Sequence, residues 1–338
     1  MKKILIISDG IPGHFNQSKG VASLLTNKHS SETIITDLEF RSYYLRGFIT
    51  VFSRFLMRLP SSSTAKIISF LYKKIDTTGL DLIIAAGGKT APYTAALRIL
   101  KKIPVIQLGS PRGLHSSLFD ALVSVERYYE DSSNVIASIT PSLYSPEVCK
   151  QAAEDKVLSE HLLFLIGGEG IGYSYKEDEW DDLIKAIKQL HKTTNLPITI
   201  VTSRRSDPKV EKKIRSQLKN IPIDYSAWFH QGAKNFNLAA LFGSAKNIFV
   251  TEDSAMMISE SISSGKPVTT LFPAGIQSPL RYKAHIQRYL DLNLITREPM
   301  KNFSIKEIEN SSNNVQDHLS KLCDQLEERI QWQRTSLV

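Results

Sequence analysis

The sequence has few cysteines and no long uninterrupted hydrophobic run. Its 338 residues include only two cysteines, Cys149 and Cys323, far apart in the chain. This pair excludes a disulfide scaffold and a cysteine-rich zinc module, and it is typical of a reducing compartment. No segment approaches the roughly 18–20 apolar residues that cross a bilayer. The apolar stretch at the N-terminus is too short for the core of a signal peptide. We therefore expect a cytoplasmic protein.

Several metal and nucleotide motifs are also lacking. None of the eight histidines form a pair at helical i, i+4 spacing, and no Asp-x-Asp pair is present to clamp a metal pyrophosphate. Lys89 and Thr90 follow Gly88 as in a P-loop, but Ile83 stands where the first glycine of that motif belongs. We expect no metal and no cofactor.

Negative charge is scarce in one window. The chain has 42 Lys and Arg against 34 Asp and Glu, a formal charge of +8, and residues 40–75 contain no Asp or Glu. Residues 44–59 within this window have helical phasing, with an apolar, aromatic face and arginines opposite. A basic amphipathic helix rich in Phe is typical of contact with an anionic membrane surface. The residues predicted to make this contact are Arg46, Phe48, Phe52, Arg54, Phe55 and Arg58.

The same helix has a simpler alternative role and a less favoured one. The simpler role is that of an ordinary helix that packs its aromatic face on the core and exposes a solvated basic face. The less favoured role is nucleic-acid binding, which is not expected because the aromatic residues do not alternate with the arginines as a base-stacking platform requires.

Short apolar runs alternate with helical patterns along the chain, which predicts parallel sheets. Strands are expected at 3–8, 33–38, 81–86, 104–108, 121–124 and 134–137, then at 161–166, 197–202, 247–251 and 267–272. Helices are expected at 16–25, 180–192, 209–219 and 255–263, and a closing helix at 315–333. We predict an α/β protein of the GT-B class, with two Rossmann-like domains that face each other across a cleft. The first domain is 1–150, the second is 151–314, and residues 315–338 pack back on the first.

The candidate site in the first half is a Gly/Pro-rich loop at residues 8–17. His14 in this loop could take a proton from an acceptor hydroxyl, and Asp9 could do the same or orient the imidazole. The alternative is that Asp9 caps a turn and His14 is a surface residue. The other acceptor-side candidates are Gly13, Asn16, Gln17, Lys89 and Arg112.

The candidate site in the second half consists of strand-end loops that could hold a donor. A glycine pair permits close approach of a substrate, arginines can bind phosphate, and a capped helix N-terminus attracts anions. The candidate donor-binding residues are Gly167, Gly168, Ser203, Arg204, Arg205, Asp253, Ser254, Met257, Glu260 and Lys266. The alternative for each loop is turn and capping chemistry alone.

Four segments in this order resemble the mitochondrial-fission Elm family of glycosyltransferase-like proteins. They are Ser8-Asp-Gly-Ile-Pro-Gly-His-Phe-Asn-Gln17, Ala86-Gly-Gly-Lys-Thr90, Thr202-Ser-Arg-Arg205, and Asp253-Ser-Ala-Met-Met-Ile-Ser-Glu260 with Gly265-Lys-Pro267. The resemblance implies a GT-B fold and transfer of a sugar from a nucleotide-activated donor. Some bacterial members belong to lipooligosaccharide outer-core gene sets, which implies a lipid-linked acceptor.

We therefore predict a metal-independent glycosyltransferase that is peripheral on the inner membrane and acts in lipopolysaccharide biosynthesis. Its partners would be a nucleotide-sugar donor, a lipid-linked saccharide acceptor and an anionic membrane surface. The leaving phosphate would lie at Ser254, Arg204 and Arg205, and Glu260 would hold the ribose. An inverting reaction is expected if His14 is the base. The alternatives are a non-catalytic membrane adaptor and a nucleotide-sugar epimerase.

Overall fold

The computed structural model describes residues 1–125, 135–137, 139–156, 158–233, 236–306 and 311–331. Among the predicted features, the residues at 134, 138, 157, 310 and 332–338 lie outside these ranges. The chain divides into two compact units, Met1–Leu143 with His318–Val338, and Tyr144–Asp317. Each unit is an α/β domain around one parallel sheet, and the α/β fold class with two such domains is confirmed.

The first unit contains a six-stranded parallel sheet in the order β2-β1-β3-β4-β5-β6. This is a doubly wound order in which the strand sequence reverses between β1 and β3. Its strands are β1 (Lys2–Ser8), β2 (Ser31–Asp37), β3 (Leu82–Ala86), β4 (Val105–Leu108), β5 (Ala121–Ser124) and β6 (Val135–Ala137). Its helices are α1 (Pro12–Lys28), α2 (Arg46–Met57), α3 (Ser62–Leu71) and α4 (Ala91–Lys101).

The strands β1, β3 and β4 are mostly apolar and buried because helices cover both faces of this sheet. One core lies against α2, α3 and α4 and includes Met57, Ile68 and Tyr93. The core on the other face includes Val21 from α1 and Leu326 from the C-terminal helix α11 (Ser311–Arg329). This second core explains why residues from His318 onward belong to the first unit.

The second unit contains a six-stranded parallel sheet in the order β12-β11-β10-β7-β8-β9. This is the Rossmann order, with the reversal between β7 and β10. Its strands are β7 (His161–Ile166), β8 (Ile198–Thr202), β9 (Ile223–Ala227), β10 (Ala245–Thr251), β11 (Val268–Phe272) and β12 (Thr296–Pro299). Its helices are α5 (Pro146–Lys156), α6 (Glu177–Thr194), α7 (Pro208–Gln217), α8 (Leu238–Ser244), α9 (Ala255–Ser263) and α10 (Leu280–Asp291).

The predicted strands are confirmed, most of them to within two residues at either end, whereas several other elements carried no clear pattern in the sequence. The helices α3, α5, α8 and α10 and the strands β9 and β12 were not predicted. The prolines Pro141 and Pro146 and the lack of a strong period predict an irregular domain joint over residues 138–160, but α5 lies within this segment. It packs closely on α8, where a Cβ on Gly243 would overlap the Cys149 carbonyl oxygen. Residues 144–150 therefore belong to the second unit, ahead of the predicted boundary at 150.

Helix α2 exposes the face that was expected to be either lipid-facing or buried. Its buried residues are Ile49, Thr50, Ser53 and Met57, and these pack toward α3 and α4. Phe48, Val51 and Phe55 are each 65% exposed. The alternative of a core-facing aromatic face is therefore wrong, because α2 packs on α3 and α4 through its other side.

Candidate functional site

The reversal point of the second sheet is a dense polar site at the carboxyl ends of β7 and β10. A Cβ on Gly167 would overlap the Asp253 carboxylate, and a Cβ on Gly168 would overlap the Arg205 carbonyl oxygen. The Gly167 N–H donates to the Thr251 hydroxyl at 2.7 Å. Glycine is therefore required at both positions by close approach. A reversal point is also where ligands of open α/β sheets bind.

Asp253 lies at the centre of this site and is fully buried. Its Oδ2 lies 3.0 Å from Nη2 of Arg205, and its Oδ1 accepts from the Tyr175 hydroxyl at 3.2 Å. Burial raises the pKa of Asp253 above its ordinary value, whereas hydrogen bonds and Arg205 oppose that rise. Arg205 therefore neutralises the negative charge of the buried Asp253 carboxylate. The sequence analysis had predicted that Arg205 binds phosphate. Arg204 is exposed.

Helix α9 begins beside this site. Ser254 is the N-cap residue, and its hydroxyl accepts from the Met257 N–H at 3.4 Å, so one of the free amides of the first turn is already satisfied. Glu260 is half-buried further along α9. Its negative charge lies close enough to the Tyr144 hydroxyl to raise the pKa of that group, although burial is the larger cause.

Lys266 does not lie with the other predicted donor-binding residues. Helix α9 runs from the carboxyl end of β10 back to the amino end of β11, and Lys266 follows it directly before β11. In a parallel sheet, these ends lie at opposite edges. Lys266 instead lines a cavity of about 370 Å³ together with Glu147 and Lys150. The prediction for Lys266 is corrected accordingly.

Ser203 lies at the carboxyl end of β8 and shapes the loop that carries both arginines. Its N–H donates to the Ile166 carbonyl at 3.0 Å, and its hydroxyl accepts from the Arg205 N–H at 3.1 Å. The Ser206 hydroxyl also donates to the Ile166 carbonyl, at 2.8 Å. The hydrogen bonds of this loop hold the backbone of Arg205 against Gly168.

Sequence reasoning missed a buried ion pair next to this site. Glu252 has no exposed surface, and its carboxylate accepts from Nε and Nη2 of Arg297 at 2.6 and 3.0 Å. The hydroxyls of Tyr173 and Thr270 also donate to Glu252, at 2.9 and 2.7 Å. A buried acid directly after a strand was the only signal in the sequence. Its partner lies 45 residues further along the chain, beyond the reach of spacing arguments.

The reversal point of the first sheet holds His14, Asp9 and Gly87. Helix α1 begins at Pro12, earlier than predicted, so His14 stands in its first turn. Nδ1 of His14 lies 3.0 Å from Oδ2 of Asp9. The Asp9 side chain is 1% exposed and that of His14 is 33% exposed. Gly87 has a positive φ of 83°, and a Cβ there would overlap the imidazole.

The remaining acceptor-side candidates lie around the same sheet edge. Gly13, Asn16 and Gln17 are in the first turns of α1. Lys89 is exposed in the β3–α4 loop. Arg112, in the loop after β4, has a φ of 54° and reaches Gly88, where a Cβ would overlap its Cγ. Asp9, His14, Lys89 and Arg112 are thus brought to two adjacent glycines by three different strand-end loops.

The predicted membrane-contacting residues divide into two groups. Phe48, Phe55 and Arg58 are exposed, and Phe52 stacks on Phe48 with ring centroids 5.5 Å apart. Arg46 is also exposed and lies over the Tyr43 ring. Arg54 differs, because its guanidinium donates to the Gly88 carbonyl at 3.1 Å. Its guanidinium therefore lies at the β3–α4 loop, on the flank of α2.

Metal-ligand clusters and membrane-spanning helices are both absent from the part of the chain that the structure describes. No group of three or more His, Cys, Asp or Glu side chains could hold a metal ion there. None of the described helices combines the length and the hydropathy needed to cross a bilayer.

Each of the two units is thus an α/β domain around a parallel sheet, with a polar site where the strand order reverses. The family described as Mitochondrial fission ELM1 matches residues 12–321, and the chain belongs to this family. Among curated proteins it is similar to the uncharacterized protein RP120 of Rickettsia prowazekii. The two are 24% identical over 326 residues, which cover 85% of this chain and 88% of the relative.

Solved structures give similarities at low sequence identity. The Escherichia coli ADP-heptose LPS heptosyltransferase II is 11% identical, with a TM-score of 0.46, over 98% of this chain and 99% of that one. The UDP-N-acetylglucosamine 2-epimerase from Rickettsia bellii is 14% identical, with a TM-score of 0.43, over 100% and 99%. These similarities identify no reaction, because one fold hosts many chemistries.

Proposed function

We propose that this protein is a glycosyltransferase that moves a sugar from a nucleotide-activated donor to a lipid-linked acceptor. The observation that carries the proposal is the pair of sites at the two sheet reversals, one suited to an anionic nucleotide and the other to proton transfer. An adaptor needs neither a buried Asp–Arg pair beside a glycine loop nor a His–Asp pair beside another.

The second unit would bind the donor. The glycines after β7 have no side chains, so the donor could approach the backbone closely. The N-terminus of α9 carries a partial positive charge that favours the donor diphosphate. Arg204 is exposed beside this site and would approach the leaving phosphate. Because Arg205 is already paired with Asp253, its role is to hold the loop in place. Glu260, half-buried on α9, would accept hydrogen bonds from the ribose.

The first unit would bind the acceptor. A carboxylate only accepts hydrogen bonds, so the 3.0 Å contact with Asp9 would favour the neutral tautomer of His14 that carries its proton on Nδ1. In that tautomer Nε2 is free to accept a proton, as a general base requires. The mechanism needs no metal, since the helix N-terminus and arginine would stabilise the leaving group.

The exposed face of α2 and α3 would rest on the membrane. The exposed apolar residues of these helices and of the segments beside them are Tyr43, Tyr44, Leu45, Phe48, Val51, Phe55, Leu59, Ile67 and Phe70, each between 47% and 97% exposed. Arg46 and Lys66 are exposed in the same two helices, and Arg58 is exposed directly after α2. Aromatic and basic side chains together are the composition that binds anionic bilayer surfaces. We propose the cytoplasmic face of the inner membrane as that surface.

Thermal denaturation with UDP, GDP, ADP, TDP and CMP tests donor binding. We expect one nucleotide, present at about 100 times its dissociation constant, to add about 2.7 kcal/mol to the free energy of unfolding without any metal. Gly168→Ala should abolish this shift because its Cβ would overlap the Arg205 carbonyl oxygen. Gly275→Ala is the matched control, since a Cβ there meets nothing within 4 Å.

Glu260→Ala gives a second test of the donor site if Gly168→Ala fails to fold. We expect it to weaken nucleotide binding without changing the melting temperature of the free protein by more than a few degrees. Absence of a shift with every nucleotide, in a well-folded sample, would contradict the enzyme and favour the adaptor. Slow isomerisation of a nucleotide sugar by the protein alone would favour the epimerase.

Sedimentation with vesicles of phosphatidylcholine and phosphatidylglycerol tests membrane contact. We expect Phe48→Ser with Phe55→Ser to lower the partition coefficient about a hundredfold, because each Phe contributes about 1.5 kcal/mol or more when it leaves water. Ile34→Ser with Ile35→Ser is the control, since these side chains are exposed on β2 of the same unit. Equal losses in both double variants would contradict a specific lipid-facing surface.

A further inference from the structure

Three cationic side chains surround the β3–α4 loop of the first unit. Arg54 reaches it from α2, where Nε and Nη2 donate to the Gly88 carbonyl at 3.3 and 3.1 Å. Arg112 reaches Gly88 from the loop after β4, and Lys89 belongs to the loop itself. Gly88 is therefore the point that both guanidinium-bearing side chains approach.

The positive charge of the two arginines has no acidic partner in the described part of the chain. Elsewhere in the unit, Arg98 is paired with Asp120 at 2.7 Å and Lys73 with Glu39. Within the described ranges, neither Arg54 nor Arg112 has a carboxylate at ion-pair distance. Burial and then the charge of Arg112 lower the pKa of Arg54 from its ordinary value. Like charges held together in this way favour an anion between them.

The backbone holds Arg112 in an unfavourable conformation. Its φ of 54° lies in the left-handed region, which costs a non-glycine residue free energy. Gly113 follows with a φ of 84°, and Gly109 precedes it with a φ of 75°. The backbone of this turn therefore places the Arg112 side chain against Gly88.

The cluster lies next to the proposed base. Gly87 contacts the His14–Asp9 pair and Gly88 contacts the arginines, so one dipeptide joins the two groups. We propose that Arg54, Arg112 and Lys89 bind a phosphate of the acceptor while its hydroxyl faces His14. This inference rests on the proposed function and names the class of acceptor as a lipid carrying a phosphate group.

Helix α2 is the reason for assigning the phosphate to a lipid. Arg54 is followed directly by Phe55, which belongs to the exposed apolar face. A lipid chain on that face would place its phosphate within reach of the guanidinium on the flank of the same helix. Inorganic phosphate has no apolar part that could contact this surface.

Calorimetric titration of the full chain tests this site. The probes are dihexanoyl phosphatidic acid as a monomer, dihexanoyl phosphatidylcholine, and inorganic phosphate. We expect phosphatidic acid to bind most tightly of the three. Arg112→Gln and Arg54→Gln should each weaken its binding about tenfold or more, because charge-assisted hydrogen bonds are lost. Arg112→Lys should restore part of the affinity. Lys101→Gln, exposed at the far end of α4, should leave it unchanged.

Three results would overturn the assignment. Unchanged binding of phosphatidic acid by Arg112→Gln would exclude the arginine cluster, and equal binding of phosphatidylcholine would show apolar contact only. Inorganic phosphate that binds as tightly as phosphatidic acid would exclude the lipid as the source of the phosphate. Nucleotide-induced stabilisation should persist in Arg112→Gln. Its absence from the wild-type protein would contradict the proposed function separately from this site.

Discussion

Replacement of His14 by glutamine is expected to lower the turnover of sugar transfer about 10²–10⁴-fold, which is the usual contribution of a positioned base. Glutamine retains a hydrogen-bonding side chain of similar size but accepts no proton. The measurement is the rate of nucleotide release, with the donor identified by thermal denaturation and a membrane-lipid extract as acceptor. Donor binding should be unchanged, because His14 belongs to the first unit and the donor site to the second.

Asp9→Asn and His115→Gln accompany this experiment. An asparagine amide can donate to Nδ1 and so favours the wrong tautomer of His14, and we therefore expect a comparable loss of turnover. His115 is an exposed histidine of the same unit that contacts Ser117, and its replacement should have no effect. Near-normal turnover in His14→Gln, with a large loss in Asp9→Asn, would make Asp9 the base instead.

Arg297→Leu is expected to lower the free energy of unfolding of the protein by about 3–5 kcal/mol. The variant leaves the Glu252 carboxylate buried with no opposite charge, and breaking one side of a buried ion pair costs about this much. The variant also removes the cation–π contact with Phe272, over whose ring the guanidinium lies at 4.0 Å. Denaturant titration monitored by circular dichroism measures the change.

Lys306→Met is the matched control for this prediction. Lys306 lies 3.3 Å from Glu298, but both side chains are partly exposed, and such surface pairs contribute about 0–1 kcal/mol. The double variant Arg297→Leu with Glu252→Gln should regain part of the stability, because a neutral amide is less costly to bury. If Arg297→Leu costs no more than Lys306→Met, the buried pair makes no large contribution.

Ten of the twelve described strands and the fold class could be predicted from the sequence, because a buried parallel strand is a mostly apolar run. β5, β7 and α9 were predicted with their observed bounds. The helices α5 and α8 could not be predicted, since each is stabilised by the other and neither has a strong apolar periodicity of its own. The predicted domain boundary was late for the same reason.

The candidate sites were predicted in part. Strand-end loops with Gly, His and capping residues follow local rules, so His14, Gly167 and Ser254 could be identified by position. Lys266 was predicted to lie with Asp253 and Ser254, but helix α9 runs between them from one edge of the sheet to the other. Arg54 was predicted to contact the membrane, and its contact with Gly88 was missed, because helical phasing gives the direction of a side chain around the axis but does not identify its neighbour.

The sequence by itself determined the two parallel-sheet domains, the glycine loops and the basic, aromatic character of α2, because each depends on periodicity or local backbone chemistry. Only the tertiary structure decided that the aromatic face of α2 is exposed, that Glu252 pairs with Arg297, and that Arg54 and Arg112 approach Gly88. Those contacts join residues from separate strands and helices. Their formation depends on how the elements pack, which no spacing along the chain encodes.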